Sequence, residues 1–207
     1  MRKFLVSAFT VLFFCFIGFL YFFPADVTVE NMIFRTGGKV SSVRGNGFFL
    51  SMQDIEFEGL KIDSVRIVNN ILKVVLEFGK NGSSTFSFLD RKLSVNLKEL
   101  PFIFDNKEIK GTGDLTCQGA VFIETLKGNL DGQIKVSRAY YNGMGIGSIK
   151  GKFQYRDGKL TASFESSLFK GTLDGQLKRD KGSIVFEGVF RGNVAGSRVV
   201  ERISFRM

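Results

Sequence analysis

The chain has 207 residues, with 29 Lys plus Arg against 20 Asp plus Glu and a net charge of +9 that is dispersed rather than gathered in basic blocks. It contains no His and no Trp, which removes His-based catalytic triads, the common His-ligated zinc sites and any histidine pH switch. With 24 Gly, 24 Phe and only 2 Pro, the composition predicts an all-β protein of short strands and tight turns, because Gly costs a helix interior about 1 kcal/mol per position.

Residues 4–23 (FLVSAFTVLFFCFIGFLYFF) carry no charge, and at about 1.5 Å per residue such a helix crosses about 30 Å of hydrocarbon. The exit Tyr21-Phe22-Phe23-Pro24-Ala25-Asp26 has bulky aromatics where a signal-peptide cleavage site needs small residues, so the segment reads as a retained transmembrane helix. Arg2 and Lys3 precede it, and the positive-inside rule puts the N-terminus in the cytoplasm and the rest of the chain across the membrane. Residues 1–24 are thus expected to form the anchor and residues 25–207 one β domain, with a soft subdivision near residue 100, before which the patterning is less regular.

Beyond Pro24 the apolar period is two, and no stretch offers a convincing helical stripe, although Phe86 to Leu93 has room for a turn or two of helix. Leu72, Val74, Leu76 and Phe78 share a face while Lys73 and Glu77 point away, and Leu93, Val95 and Leu97 repeat the scheme. Turn residues punctuate the strands at Gly37-Gly38, Gly45-Asn46-Gly47, Asn69-Asn70, Lys80-Asn81-Gly82, Asp105-Asn106, Asn142-Gly143, Asp157-Gly158 and Asp180-Lys181-Gly182. The expected fold is an antiparallel meander of about a dozen strands, with Asp157-Gly158 the clearest hairpin.

Lys127-Gly-Asn-Leu-Asp-Gly-Gln-Ile-Lys135 matches Lys170-Gly-Thr-Leu-Asp-Gly-Gln-Leu-Lys178 at all but two positions, and Gly147-Ser-Ile-Lys-Gly-Lys-Phe153 shares their frame. Strand alternation places Gly128, Leu130, Gly132 and Ile134 on one face, continued by Val136 beyond the repeat, with Gly147, Ile149, Gly151 and Phe153, and Gly171, Leu173, Gly175 and Leu177, as the corresponding sets. Glycines repeated on the apolar face of strands bend a sheet or admit a close neighbour. Two readings follow: Phe rings fill the gaps in a packed structure, or the twelve residues line a concave groove open to acyl chains or a partner's strand.

Gly111-x-Gly-x-Leu-x-x-x-Gly119, Leu126-Lys-Gly-Asn-Leu-Asp-Gly132, Gly147 to Leu160 and Leu168-Phe-Lys-Gly-Thr-Leu-Asp-Gly175 together resemble the type II secretion system protein N family and the wider AsmA-like group. The resemblance runs from the anchor to about Phe190 and implies a single-pass bacterial inner-membrane protein with a curved periplasmic β domain. Its function would be that of a scaffold or accessory component in type II protein secretion, or alternatively of a lipid-binding or lipid-transfer module. Partners on either reading are the bilayer and either secretion-system subunits or acyl chains. The resemblance brings no catalytic residues.

The sequence holds no G-x-S-x-G elbow or strand-to-helix G-x-G-x-x-G, and no enzymatic activity or cofactor is expected. Asp54, Glu56 and Glu58 alternate on one strand face, a solvated face rather than a metal site, since a cation needs ligands converging from several directions. Cys15 and Cys117 fall on opposite sides of the expected water boundary and are read as unpaired. Cations spread singly (Lys150, Lys152, Arg156, Lys159, Lys170, Lys178, Arg179) on a domain expected outside the cell's nucleic-acid compartment argue against nucleic acid and favour anionic surfaces.

Overall fold

The period-two pattern builds strands almost throughout the described part of the chain. A computed structural model describes residues 17–18, 21, 24–57, 59–105, 109–141, 143–180, 183–194 and 197–206. The expected membrane span lies outside them apart from Ile17, Gly18 and Tyr21, and among the described residues no helix is long and apolar enough to cross a membrane.

Among the described residues helix α1 (Ala25–Arg35) precedes thirteen strands: β1 (Ser42–Gly45), β2 (Phe49–Phe57), β3 (Leu60–Asn69), β4 (Lys73–Glu77), β5 (Gly82–Ser87), β6 (Lys92–Asp105), β7 (Ile109–Phe122), β8 (Lys127–Tyr141), β9 (Met144–Arg156), β10 (Lys159–Glu165), β11 (Phe169–Asp180), β12 (Ser183–Val194) and β13 (Ser197–Arg206). They form one antiparallel sheet in sequence order, with a further pairing of β3 to β6. The helix corrects the expectation that no helical stripe follows residue 24, and it stands at Ala25–Arg35 rather than within 86–93, where β5 ends and β6 begins. Ala25, Val29 and Ile33, spaced four apart, lie against the cluster of Leu50, Met52 and Val65, so a narrow stripe covers one end of the sheet. The Gly37-Gly38 pair read as a turn ends this helix: the Gly37 N–H donates to Phe34 O and the Gly38 N–H to Ile33 O, the Schellman arrangement, with Gly37 at φ +81°.

Directly opposed residues in antiparallel strands point to the same face, so the registers trace the core. One row crosses the whole sheet: Gly45, Leu50, Ile67, Leu76, Ser84, Val95, Gly119, Leu130, Tyr155, Leu160, Gly175, Gly188 and Ile203. Ser84 alone in it bears a polar side chain of the hydroxyl, amide or charged type apart from the Tyr155 phenol. The next row, Leu97, Cys117, Gly132, Phe153, Ala162, Leu173 and Phe190, is apolar throughout. The opposite face carries exposed cross-strand ion pairs, Asp131 with Arg156, Glu165 with Lys170, Asp174 with Arg191 and Glu187 with Lys178.

Near residue 100 the structure places an irregularity within a continuous strand. The register of β6 against β7 shifts between Leu97 and Leu100, Glu99 has φ +48°, and its N–H donates to Thr116 Oγ1 at 3.2 Å. Here the sheet forks: the first part of β6 pairs with β5, whereas Ile103 and Phe104 pair with Lys61 and Leu60 of β3. Asn81, at the β4–β5 turn, closes the fork by donating from Nδ2 to Lys98 O at 3.1 Å and Glu99 O at 2.8 Å. Asp157-Gly158 forms the expected two-residue hairpin, with φ of +47° and +90°, and because both centres need the left-handed region the Asp-Gly pair suits a type I′ turn.

Replacing Asn81 by Ala should cost about 1–2 kcal/mol, the usual worth of two hydrogen bonds whose carbonyls remain partly covered. A lower urea midpoint with an unchanged m-value checks it, and an unchanged midpoint would show that the fork closes without this side chain.

Candidate apolar cavity

Where the apolar rows approach the end of the sheet formed by the β2–β3, β6–β7, β8–β9 and β10–β11 turns, they leave a cavity of about 440 Å³. Its wall comprises Leu60 and Ile62 from β3, Leu100, Phe102 and Phe104 from β6, Leu115 from β7, Ile134 and Val136 from β8, Ile149 and Gly151 from β9, Phe164 from β10 and Phe169 from β11. Every side chain in that wall is apolar. In a flat sheet β3 and β11 would lie six inter-strand steps, about 29 Å, apart, yet Leu60 and Ile62 of β3 and Phe169 of β11 line the same cavity. The sheet therefore curls around it.

Two irregularities supply the bend. The β6 shift at Lys98–Glu99 is one, and the other is in β8, where Val136 pairs with Ile149 but Ala139 pairs with Gly147, so that Ser137 and Arg138 oppose a single residue of β9. The same segment is out of step with β7, between Thr112 and Gly113. An extra residue in one strand raises the local twist and turns the strand, and the bulges sit next to Leu100 and Val136 of the wall. Phe102 and Phe104 stack at 5.6 Å between ring centroids.

Of the twelve residues singled out in the sequence, Ile134, Ile149 and Gly151 line the cavity. Leu130 and Phe153 pack instead against Leu97, Leu100 and Cys117. A methyl group on Gly132 would collide with the Phe153 ring, one on Gly171 with the Phe190 ring and one on Gly175 with the Phe186 ring, and one on Gly151 would meet Phe164 Cδ1 at 3.0 Å. Phe rings thus lie over these glycines. Leu173 and Leu177 continue the same face opposite Phe190 and Phe186. Gly128 lies at the start of β8, where its N–H donates to Asp157 Oδ1 at 2.8 Å, and Gly147 lies at the β8 bulge, 3.3 Å from Ser167 Oγ for an added methyl.

The wall residues Leu60, Ile62, Leu100, Phe102, Phe104, Leu115, Phe164 and Phe169 were not singled out, while Val136 stands on the face it shares with Ile134 by strand alternation. The alternation Leu100-x-Phe102-x-Phe104 is visible in the sequence, but the β3–β6 pairing that brings Leu60 beside it is not local.

Ionisable groups stand apart from the cavity. Asp54 accepts from Ser41 Oγ at 2.7 Å and Glu56 is shared between Lys39 and Lys61, so these two carboxylates have protein partners, and among the described residues no cluster of three or more potential metal ligands occurs. Glu58 lies outside the described residues. Burial pushes the Cys117 thiol up from its ordinary value, with the Asp131 charge adding to the effect. Burial likewise raises the Tyr155 phenol, whose hydroxyl donates to Leu126 O and joins the β9 end to the β7–β8 turn.

Searches of protein-family models, curated proteins and solved structures find no match to this chain.

Gly132→Ala should destabilise the fold by about 1–3 kcal/mol, because the Phe153 ring has to leave its place over the strand; calorimetry or urea titration measures it, and a neutral result would mean the ring swings away freely. Since folding holds the Tyr155 phenol protonated above its ordinary pKa of 10.0, its contribution is complete below that value and is lost as pH rises past it through the folded-state pKa. Urea midpoints should accordingly fall above about pH 10 in the native chain, and fall less steeply in Tyr155→Phe.

Proposed function

We propose that the chain is a bilayer-tethered β-sheet module that holds one acyl chain of a lipid in the cavity between β3, β6 and β11. The observation that carries this reading is the wall itself, in which every lining side chain is apolar. Apolar cavities of this kind exclude water and accept hydrocarbon, and about 440 Å³ falls within the range of small-ligand sites, about 300–1,000 Å³. Each methylene taken from water into such a wall is worth about 0.8 kcal/mol, so even a partly inserted chain is held without a polar contact. On this reading the uncharged run 4–23 keeps the module at the membrane from which its lipid comes, with residues 25–207 in the bacterial periplasm.

A second reading, that of a secretion-system scaffold, is supported by a different observation. Among the described strands β13 pairs with β12 alone and presents ten residues of edge backbone to which a partner's strand could add.

Mass spectrometry of lipids co-purified with the detergent-extracted full chain separates the two. The lipid reading expects stoichiometric lipid, and its loss in Ile149→Trp, whose indole fills the cavity, with little change in the thermal midpoint. Absence of bound lipid from the native chain would overturn that reading and leave the scaffold.

A further inference from the structure

The end of the sheet opposite the cavity carries apolar side chains on its turns. Strand alternation gathers there the β1–β2, β3–β4, β5–β6 and β7–β8 turns. Turn tips are ordinarily polar, yet Ile71 and Leu72 stand exposed on the β3–β4 turn, Phe88 and Leu89 on the β5–β6 turn, and Phe49 beside them, with Leu89 74 % exposed. Contiguous exposed apolar surface of this kind marks an interaction site.

The tips are held in place by backbone contacts between neighbouring turns. The Phe88 N–H donates to Leu72 O at 2.9 Å, the Asn69 N–H to Phe48 O at 2.7 Å and the Ile123 N–H to Arg91 O at 2.8 Å. These bonds stitch the turn backbones into one rim, on which Leu89 stands free while the half-exposed Phe88 ring rests edge-on against Phe86 at 5.2 Å.

Charge surrounds the apolar tips. At the cavity end Lys39 and Lys61 pair with Glu56, Lys110 with Asp105 and Lys170 with Glu165, while Lys80, Arg138, Lys150 and Arg198 form no ion pair with a described residue. At the opposite end Lys73, Lys92, Lys127 and Lys159 form no ion pair with a described residue, and Lys92 lies over the Phe122 ring at 5.6 Å. Glu124 and Asp180 there are taken by Arg91 and Arg206, Asp90 accepts from Ser87 Oγ at 3.1 Å and Asp157 from the Gly128 N–H. Protruding apolar tips within a ring of unmatched cations fit a surface with hydrocarbon below and negative charge at its face.

We propose that the Ile71–Leu72 and Phe88–Leu89 tips form a docking surface for an anionic bilayer, inserting their side chains below the headgroups while Lys73 and Lys92 contact the lipid phosphates. The surface is distinct from the cavity and does not depend on its occupant.

The absence of Trp from the sequence gives a clean test. Full chains carrying Leu89→Trp, Phe88→Trp or, at the cavity end, Met144→Trp as their sole Trp are reconstituted in vesicles of phosphatidylcholine with phosphatidylglycerol, with and without brominated acyl chains. Blue-shifted emission and bromine quenching are expected for Leu89→Trp and Phe88→Trp and not for Met144→Trp. Contact should weaken about fivefold for each of Lys73→Gln and Lys92→Gln. Unshifted, unquenched emission at both tip positions, or equal quenching at Met144→Trp, would overturn the docking surface. Quenching indifferent to both lysines would overturn its anionic preference.

Discussion

A single sheet has no second layer to cover its apolar face, and everything else in this fold follows from how that face covers itself. The solution is a ring laid over a glycine on a neighbouring strand: Phe153 over Gly132, Phe164 over Gly151, Phe190 over Gly171 and Phe186 over Gly175. A Phe hides about 150–250 Å² when buried, and a glycine in the adjoining row gives it somewhere to lie flat. Phe186, 2 % exposed, is the largest fully buried side chain among those described, and it achieves this in a one-layer structure by resting between Gly175, Gly188 and the stacked ring of Phe205. The high Gly and Phe content is one device seen from two sides.

Rings lying along one face and long charged side chains standing on the other make the faces unequal, and the bulges in β6 and β8 turn that inequality into curvature. The exposed ion pairs on the outer face add at most about 1 kcal/mol each; Glu165 and Lys170 stand directly opposed and the other three pairs run diagonally between neighbouring strands, which makes them register marks more than sources of stability. Where the bulges displace the rows, near Leu100, Val136 and Ile149, the rings and glycines fall out of step and space remains. The cavity is thus the remainder left by an otherwise complete scheme of self-covering.

Much of this was legible in the sequence because strand alternation is a local property. The face shared by Leu130, Gly132 and Ile134, the two-residue hairpin at Asp157-Gly158, and the meander itself all follow from neighbours within a few residues. Of the two readings of the glycines, the filling of gaps by Phe describes Gly132, Gly171 and Gly175, while Ile134, Ile149 and Gly151 do border open space. Helix α1 escaped notice because Val27 and Val29 read as strand residues, and because a Schellman Gly-Gly pair is indistinguishable from a turn until its carbonyl partners are known. The β3–β6 pairing joins residues some forty positions apart across an inserted hairpin, and no local pattern announces it. The cavity depended on that pairing and on bulges at Lys98–Glu99 and Ser137, which leave no mark in polarity.

Sequential strand order has a consequence for how such a chain assembles. From β6 onward each strand needs only its predecessor as a template, so ordering can travel down the chain like a zipper, each hairpin closing a short loop at small entropic cost. The same geometry lets the sheet fray from β13 backwards one hairpin at a time, without the all-or-none collapse of a sandwich whose layers hold each other. The fork at β3, β4, β5 and β6 interrupts that linearity: β3 and β6 cannot meet until the hairpin between them has folded, which makes the first half of the sheet the cooperative seed and the second half its extension.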